Sequence, residues 1–344
     1  MKLDNFLIIR LSSLGDIVHT LPAFSALRKN FPKAKLSWVV EKNGKEILDL
    51  VPGIDKVIAV DSENLRGNPK EVWQEISRLK RKIKNRNQVA LDFQGLIKSG
   101  FISFLSRSRK RIGFRGKNLK EPLASLFYTE KLEEIPEDIH VISKNLRLLT
   151  KLGIKEENYE FPLIIPQELL ESVKAKLRET GHTGEKKLIV LNVGAGWETK
   201  QWLPENWVEF GNQIKREDIF PLLLWGNEKE KDLALFVSRK TQIPITPCLS
   251  IKEVMALVKQ ASVIISGDTF ALHVACAFGV PVVGIYGPTN PQRNGPFSAK
   301  DKVAVHEMKC SFCFKRACPT IECIKKISAG EVAALFQHVL KENA

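Results

Sequence analysis

The 344-residue sequence has no run of about 18 apolar residues, so no helical membrane span is expected. Nor does it open on a secretory leader. MKLDNFLIIRLSS has one early lysine and a four-residue apolar core ended by Arg10, which reads as a first β-strand. There is no G-x4-G-K-[ST] phosphate loop and no dinucleotide fingerprint. Internal repeats and familiar nucleic-acid motifs are missing as well. Acidic residues are in deficit, 39 against 53 Lys and Arg, for a net charge of +14. Such an excess suits nucleic acid, an anionic membrane surface or phosphorylated small molecules. Nucleic-acid recognition also needs basic and stacking aromatic residues on one face. Many of these basic residues lie in ordinary amphipathic helices, so no nucleic acid is expected as partner. No cysteine precedes Cys248. Beyond Cys248 and Cys276, four cysteines cluster as C-x2-C-x4-C-x4-C: Cys310, Cys313, Cys318 and Cys323. The chain reads as cytoplasmic, which argues against structural disulfides. The cluster could hold a tetrahedral zinc or be a loop of free thiols; its spacing is tighter than the usual paired knuckles.

What is present is an ordinary globular composition, 44% hydrophobic and 27% charged, at a length that favours two domains. Strand and helix patterns alternate. Phe6–Leu11 predicts a strand, SSLGD a turn and Ile17–Asn30 a helix; strands Leu36–Val40, Val57–Val60 and Val89–Asp92 follow. Helix Gly95–Leu105 leads into a basic tract, SRSRKRIGFRGKNLK, which is either a solvated loop or an anion-binding segment. Helix His140–Leu152 ends at Gly153, and the proline-bearing stretch Lys155–Pro166 reads as a linker. Alternation restarts with strand Leu188–Val193, helix Pro204–Arg216, strand Phe220–Trp225, helix Glu228–Thr241, a short strand near Ile245 and helix Ile251–Gln260. Strand Val263–Ile265, helix Phe270–Phe278 and strand Val280–Ile285 come next, with Gly279 stopping the helix. Helix Ala329–Lys341 closes the chain. The fold class is α/β: two Rossmann-like domains with parallel sheets facing a central cleft, residues 1–165 and 166–325, followed by 326–344.

Four strand-to-helix corners carry candidate chemistry. At Ser12-Ser13-Leu14-Gly15-Asp16, Asp16 is either an N-terminal helix cap or a carboxylate able to take a proton from a hydroxyl. In the Asn192–Trp202 corner, Gly194, Ala195 and Gly196 let backbone N–H groups approach phosphate, and Lys200 adds a point charge; a plain turn with a surface lysine is the alternative. At Trp225-Gly226-Asn227-Glu228, Glu228 could grip ribose hydroxyls or complement a helix dipole. At Ser266-Gly267-Asp268-Thr269, an anion could sit on the helix N-terminus, with His273 four residues on from Thr269 along the same face.

Taken together, SSLGDIVHTLPA, FQGLIKS, KEPLASLFY, GAGWETKQW and SGDTFALHVACAFGVPVVGIYGPTNP resemble the ADP-heptose:lipopolysaccharide heptosyltransferases, glycosyltransferase family 9. FQGLIKS and EPLASLFY look most like the heptosyltransferase I branch. The resemblance implies a GT-B fold whose last helix packs back toward the N-terminal domain. That domain would bind acceptor and the C-terminal one the nucleotide sugar. The implied reaction is inverting transfer of L-glycero-D-manno-heptose from ADP-heptose to the Kdo of the lipopolysaccharide inner core, with no metal and no cofactor. Asp16 would be the general base. Lys200 and the Asp268-Thr269 corner would hold and neutralise the diphosphate, with His273 as support and Glu228 on the ribose. Ser13, Lys98, Arg111 and Lys120 would meet a Kdo-lipid A acceptor at the cytoplasmic face of an anionic inner membrane, where the enzyme would be peripheral. Phe270 stands where the family commonly has Gly, and Lys120 where Arg is often found; the cysteine cluster is more typical of other branches. Alternatives are heptosyltransferase II, another inner-core transferase of the family, or a non-catalytic sugar-nucleotide or lipopolysaccharide-binding protein.

Overall fold

The computed structural model describes residues 3–61, 64, 68–83 and 88–343. The chain forms two compact units, Met1–Ile164 and Ile165–Ala344, each with its own sheet.

In the first unit the strands are β1 (Asn5–Ile9), β2 (Lys35–Glu41), β3 (Lys56–Val60), β4 (Val89–Asp92), β5 (Lys110–Gly113) and β6 (Glu130–Lys131). Their order is β3-β2-β1-β4-β5-β6, and every pair is parallel. The order reverses between β1 and β4, and doubly wound sheets bind ligands beyond the carboxyl ends of their strands at such a point. The second unit has β7 (Lys187–Asn192), β8 (Ile219–Leu224), β9 (Val263–Gly267), β10 (Val282–Tyr286) and β11 (Lys302–Val305). Here the parallel order is β11-β10-β9-β7-β8, so the reversal falls between β7 and β9. Strands β4, β9 and β10 are buried at every position, as expected where helices cover both faces of a parallel sheet.

Several expected elements are corrected. The predicted Ile17–Asn30 helix is two helices, Leu14–Val18 and Leu21–Asn30. Pro22 falls in the first turn of the second, where its missing N–H breaks no helical bond. The helix expected over His140–Leu152 runs Val141–Leu148, with His140 capping it, and tightens to a 3-10 turn before Gly153. Near Ile245 there is a single bridge to Leu223 rather than a strand. The basic tract contains β5, so it is not wholly a loop. Gly279 ends the Phe270–Phe278 helix at φ +69°, a left-handed geometry that glycine enters without a Cβ clash.

The closing helix, Ala329–Glu342, buries its apolar stripe Val332, Phe336, Val339 and Leu340 in the core of the second unit, with Trp202, Trp207 and Phe210. Edge-to-face aromatic contacts build that core: ring centroids lie 4.9 Å apart for Trp202–Trp207 and 6.1 Å for Phe210–Phe336. Trp202 Nε1 also donates to Ile327 O just before the helix, at 2.8 Å. Phe336→Ala is therefore expected to destabilise the second unit by about 3–5 kcal/mol. Urea unfolding followed by tryptophan fluorescence checks this. A loss below about 1 kcal/mol would show that the helix is not part of this core.

Candidate active site

Asp16 occupies the first turn of the Leu14–Val18 helix. Its Oδ2 accepts from Ser13 N and Ser13 Oγ, each at 3.1 Å, which is the helix-capping geometry. Its Oδ1 pairs with Arg10 Nη2 at 2.6 Å. Capping and catalysis are thus not alternatives here, because the contacts that cap the helix also orient the carboxylate. The side chain remains 36% exposed and can meet a substrate.

Arg10, which pattern reading did not single out, holds this carboxylate. It follows the last residue of β1 and is buried, and its guanidinium also donates to Phe93 O beyond β4. Gln94 ties the same loops a second way, its Oε1 accepting from Leu11 N at 3.0 Å and Ser12 N at 3.2 Å. The fully buried Asp92 lies beneath. Its Oδ1 accepts from Gln94 N and Gly95 N, and its Oδ2 from Tyr128 Oη at 2.7 Å. Burial pushes the Asp92 carboxyl upward, against the hydrogen bonds of Tyr128, Ser99 and the backbone; burial and the neighbouring Asp92 also raise Tyr128. The available signal was a lone Arg and a lone Asp, each at the end of an apolar strand.

The expected acceptor residues are not one cluster. Ser13 is exposed beside Asp16. Lys98 pairs with Glu41 at 2.7 Å. Arg111 donates to Phe127 O at 2.7 Å and Ser108 O at 3.1 Å, a structural use that sequence reading did not anticipate. Lys120 is exposed.

In the second unit, the carboxyl ends of β7 and β9 build one polar corner. Asp268 is its centre and is nearly fully buried. Its Oδ2 pairs with Lys200 Nζ at 2.6 Å and accepts from Asn294 Nδ2 at 3.1 Å, while its Oδ1 lies 3.0 Å from His273 Nε2. Burial alone would raise this carboxyl. The hydrogen bond and charge of His273, with the ammonium of Lys200, outweigh burial and hold it well below the usual carboxylate range. Thr269 stands at the N-cap of the Phe270–Phe278 helix, but its hydroxyl gives no cap. It bonds Ser266 Oγ at 2.8 Å and accepts from Asn192 Nδ2 at 3.0 Å, stitching β9 to β7. Phe270, at the first helical position, is half-buried.

Lys200 also lies 4.2 Å from the centroid of the Trp197 ring, and the Arg316 guanidinium lies 4.9 Å from it. Arg316 belongs to the cysteine-rich segment. Thr199 Oγ1 donates to Lys315 O at 2.8 Å, and Phe314 N to Pro288 O at 2.9 Å. This segment is therefore a wall of the corner. All six cysteines are free thiols. Among the described residues no three His, Cys, Asp or Glu side chains are grouped to hold a metal, so the arrangement does not fit the tetrahedral zinc that the spacing allowed.

The Gly194–Gly196 turn is held from the side by Glu230, another residue the sequence did not point to. A Cβ on Gly194 would collide with the Glu230 carboxyl, and Glu230 Oε2 accepts from Gly226 N at 2.7 Å. Glu228, at the start of the same helix, is largely exposed and pairs with Lys231 at 3.3 Å. It lines a cavity of about 430 Å3 with Trp225, Lys231, Thr246, Pro247 and Cys248. Thr246 is buried there, and its hydroxyl has no hydrogen-bond partner among the described residues. A drug-sized ligand with a polar edge fits such a site.

Two doubly wound parallel sheets, with polar corners at their switch points, define the GT-B class of glycosyltransferase fold. Residues 76–324 match glycosyltransferase family 9 (heptosyltransferase), and the chain belongs to that family. It is 27% identical over 320 residues to lipopolysaccharide heptosyltransferase 1 of Pseudomonas aeruginosa, covering 91% of this chain and 86% of the relative. The crystal structure of a family 9 glycosyl transferase from Veillonella parvula superposes with a TM-score of 0.83 at 20% identity, over 99% of each chain. The Escherichia coli heptosyltransferase WaaC with ADP-2-deoxy-2-fluoro heptose gives 0.75 at 23%, over 99% of this chain and 100% of WaaC.

Asp268→Asn tests the corner. The folded carboxyl lies below its unfolded value of about 3.9, so its stabilisation is fully present above about pH 4 and is lost as pH falls through the folded value. At pH 7 the variant leaves the half-buried Lys200 without its carboxylate, and a loss of about 3–5 kcal/mol is expected. Urea unfolding at pH 7, 5 and 3 should show the gap between variant and parent narrowing at pH 3. A gap that widens toward acid would contradict this assignment.

Proposed function

We propose that this chain is heptosyltransferase I of lipopolysaccharide synthesis: an inverting enzyme that moves L-glycero-D-manno-heptose from ADP-heptose to the Kdo of a lipid A-anchored inner core. The observation that carries the donor half is the Lys200–Asp268–His273 corner beside the cavity under Trp225. Adenosine would occupy the cavity against Trp225, with Glu228 on the ribose. The diphosphate would lie on the Gly194–Gly196 turn and the uncapped first turn of the Phe270–Phe278 helix, where free N–H groups and the helix dipole favour an anion. Lys200 and Arg316 would meet the charge that develops on departing ADP, so the proposed chemistry is metal-independent. The 27% identity to lipopolysaccharide heptosyltransferase 1 supports this choice of sugar and acceptor.

The acceptor half rests on Asp16. In the proposed step the acceptor hydroxyl oxygen bonds to the anomeric carbon while the bond from that carbon to the β-phosphate oxygen breaks. The hydroxyl proton passes to Asp16, and the electron pair leaves with ADP. In-line displacement of this kind inverts the anomeric centre. Arg10 and Ser13 fix the carboxylate for that transfer. Ser13, Lys98 and Lys120 are proposed to hold the acidic groups of the acceptor; binding it would exchange the Glu41 partner of Lys98 for a substrate anion. An acceptor anchored by acyl chains places the enzyme at the cytoplasmic face of the inner membrane. Among the described residues no helix is long and apolar enough to cross it.

ADP release from ADP-heptose, with acceptors ending at Kdo or at the first heptose, tests this reading. Turnover is expected on the Kdo-terminated acceptor. Turnover only on the heptose-terminated one would make the enzyme heptosyltransferase II. ADP binding without turnover on any acceptor would support a binding protein instead. Asp16→Ala is expected to lower kcat by about 10²–10⁴ while ADP affinity holds. Equal turnover in that variant removes Asp16 as the base.

A further inference from the structure

We propose that residues 97–127 of the first unit form a docking surface for an anionic lipid bilayer. This deepens the reading above, because a lipid-anchored acceptor lies in such a surface. The helix Ile97–Leu105 places Ile97, Phe101 and Phe104 on one stripe at i, i+4 and i+7. Beside it runs a 3-10 segment, Pro122–Phe127. Side chains three apart eclipse in a 3-10 helix, so this segment has three rows of side chains. Ala124 and Phe127 face the helix: a Cβ on Gly100 would lie 2.8 Å from Phe127 and 3.1 Å from Ala124 O. Leu123 and Leu126, another i, i+3 pair, point away and are 62% and 75% exposed. Phe127 joins the two elements, its ring centroid 6.1 Å from Phe101 and 6.2 Å from Phe104. Phe104 and Ile97 are themselves 53% and 41% exposed. The result is four exposed large apolar side chains, Ile97, Phe104, Leu123 and Leu126, on two elements packed against each other, and exposed apolar groups gathered in this way mark interaction sites.

Its charge selects the occupant. Residues 97–127 carry eight Lys and Arg against one acidic residue, Glu121. Lys98, Lys110 and Arg115 are paired with Glu41, Glu130 and Glu133, and Arg111 is held by backbone carbonyls, so the outward excess rests on Arg107, Arg109, Lys117 and Lys120. Glu121 is engaged at the helix start, accepting from Ile97 N at 2.7 Å. Arg107 and Arg109, both exposed, follow the Phe104 end of the stripe, and Lys120 precedes the 3-10 segment. Apolar side chains rimmed by cations match the boundary between acyl chains and anionic headgroups. A second copy of the chain fits poorly. A two-fold contact puts the same patch on both sides, and these positive rims would repel.

Vesicle sedimentation tests the surface without any donor or acceptor. The full chain is expected to sediment with phosphatidylglycerol vesicles, not with phosphatidylcholine, and to be released by 1 M salt, where screening shortens to about 3 Å. The double variant Leu123→Ser/Leu126→Ser should lower the partition coefficient tenfold or more. Both side chains are exposed, so turnover on an acyl-free Kdo acceptor should stay at the parent level and report an intact fold. Equal sedimentation of variant and parent overturns the proposal, as does equal binding to neutral vesicles or none to either. Concentration-dependent dimerisation that the double variant abolishes would assign the patch to a second copy and also overturn it. Sedimentation as expected with no turnover on any acceptor would refute the proposed function and leave the docking surface standing.

Discussion

The second unit depends on a buried carboxylate at the carboxyl end of a parallel strand. Asp268 would be costly to bury alone, and an ionised group there persists only with partners. It has three: Lys200 from the loop after β7, His273 from the helix after β9, and Asn294 from the short helix after β10. One desolvated charge thereby fixes three loops that converge on the sheet's switch point. The same arrangement keeps a lysine and a helix start poised beside each other before any ligand arrives. Preorganised cations and dipoles of this kind need no rearrangement when charge develops in a reaction.

The first unit solves the same geometric problem with a different chemistry. Asp92 is buried among neutral donors: Tyr128 Oη, Ser99 and two backbone N–H groups. Burial raises this carboxyl, whereas the Asp268 network lowers its own. Asp92 therefore reads as a structural pin under the loop after β4, and Gln94 carries that order to the loop after β1. The charged partner is one layer out, where Arg10 meets the more exposed Asp16. A buried pin below and an oriented, reachable carboxylate above leave the proposed general base within reach of a substrate hydroxyl.

Legibility in the sequence followed the physics of each feature. Apolar runs of four to six residues and helical periodicity marked most strands and helices, since burial on a parallel sheet imposes them. Gly279 was readable because a helix that must stop there favours a residue tolerant of positive φ. Lys200 and Asp268 were singled out because they stand at strand–helix corners, and His273 because helical spacing sets it one turn on from Thr269. Arg10, Gln94 and Glu230 were missed for a common reason. Each acts on a neighbouring loop, and the Gln94 bonds to Leu11 and Ser12 span 83 and 82 residues of chain. No local period encodes such a reach. The cysteine spacing left a zinc site and a loop of free thiols open, and said nothing of the segment's contacts, which through Lys315, Phe314 and Arg316 serve the Trp197–Lys200 loop.

The net charge of +14 shows how a global number changes meaning once it has a location. Spread evenly it would signal little beyond solubility. Its density in residues 97–127 sets it beside leucines and a phenylalanine that the fold leaves outside. The cause is conformational. Had Pro122–Phe127 been an α-helix, 100° steps would have fanned Leu123 and Leu126 about 60° apart. As a 3-10 segment it stacks them in line and turns Ala124 and Phe127 inward against Gly100. The small residue at Gly100 permits that close approach, so the exposed apolar face is a consequence of how the inner face packs. Charge and apolarity on one surface therefore arise from a single packing choice, which neither composition nor helical periodicity could have revealed.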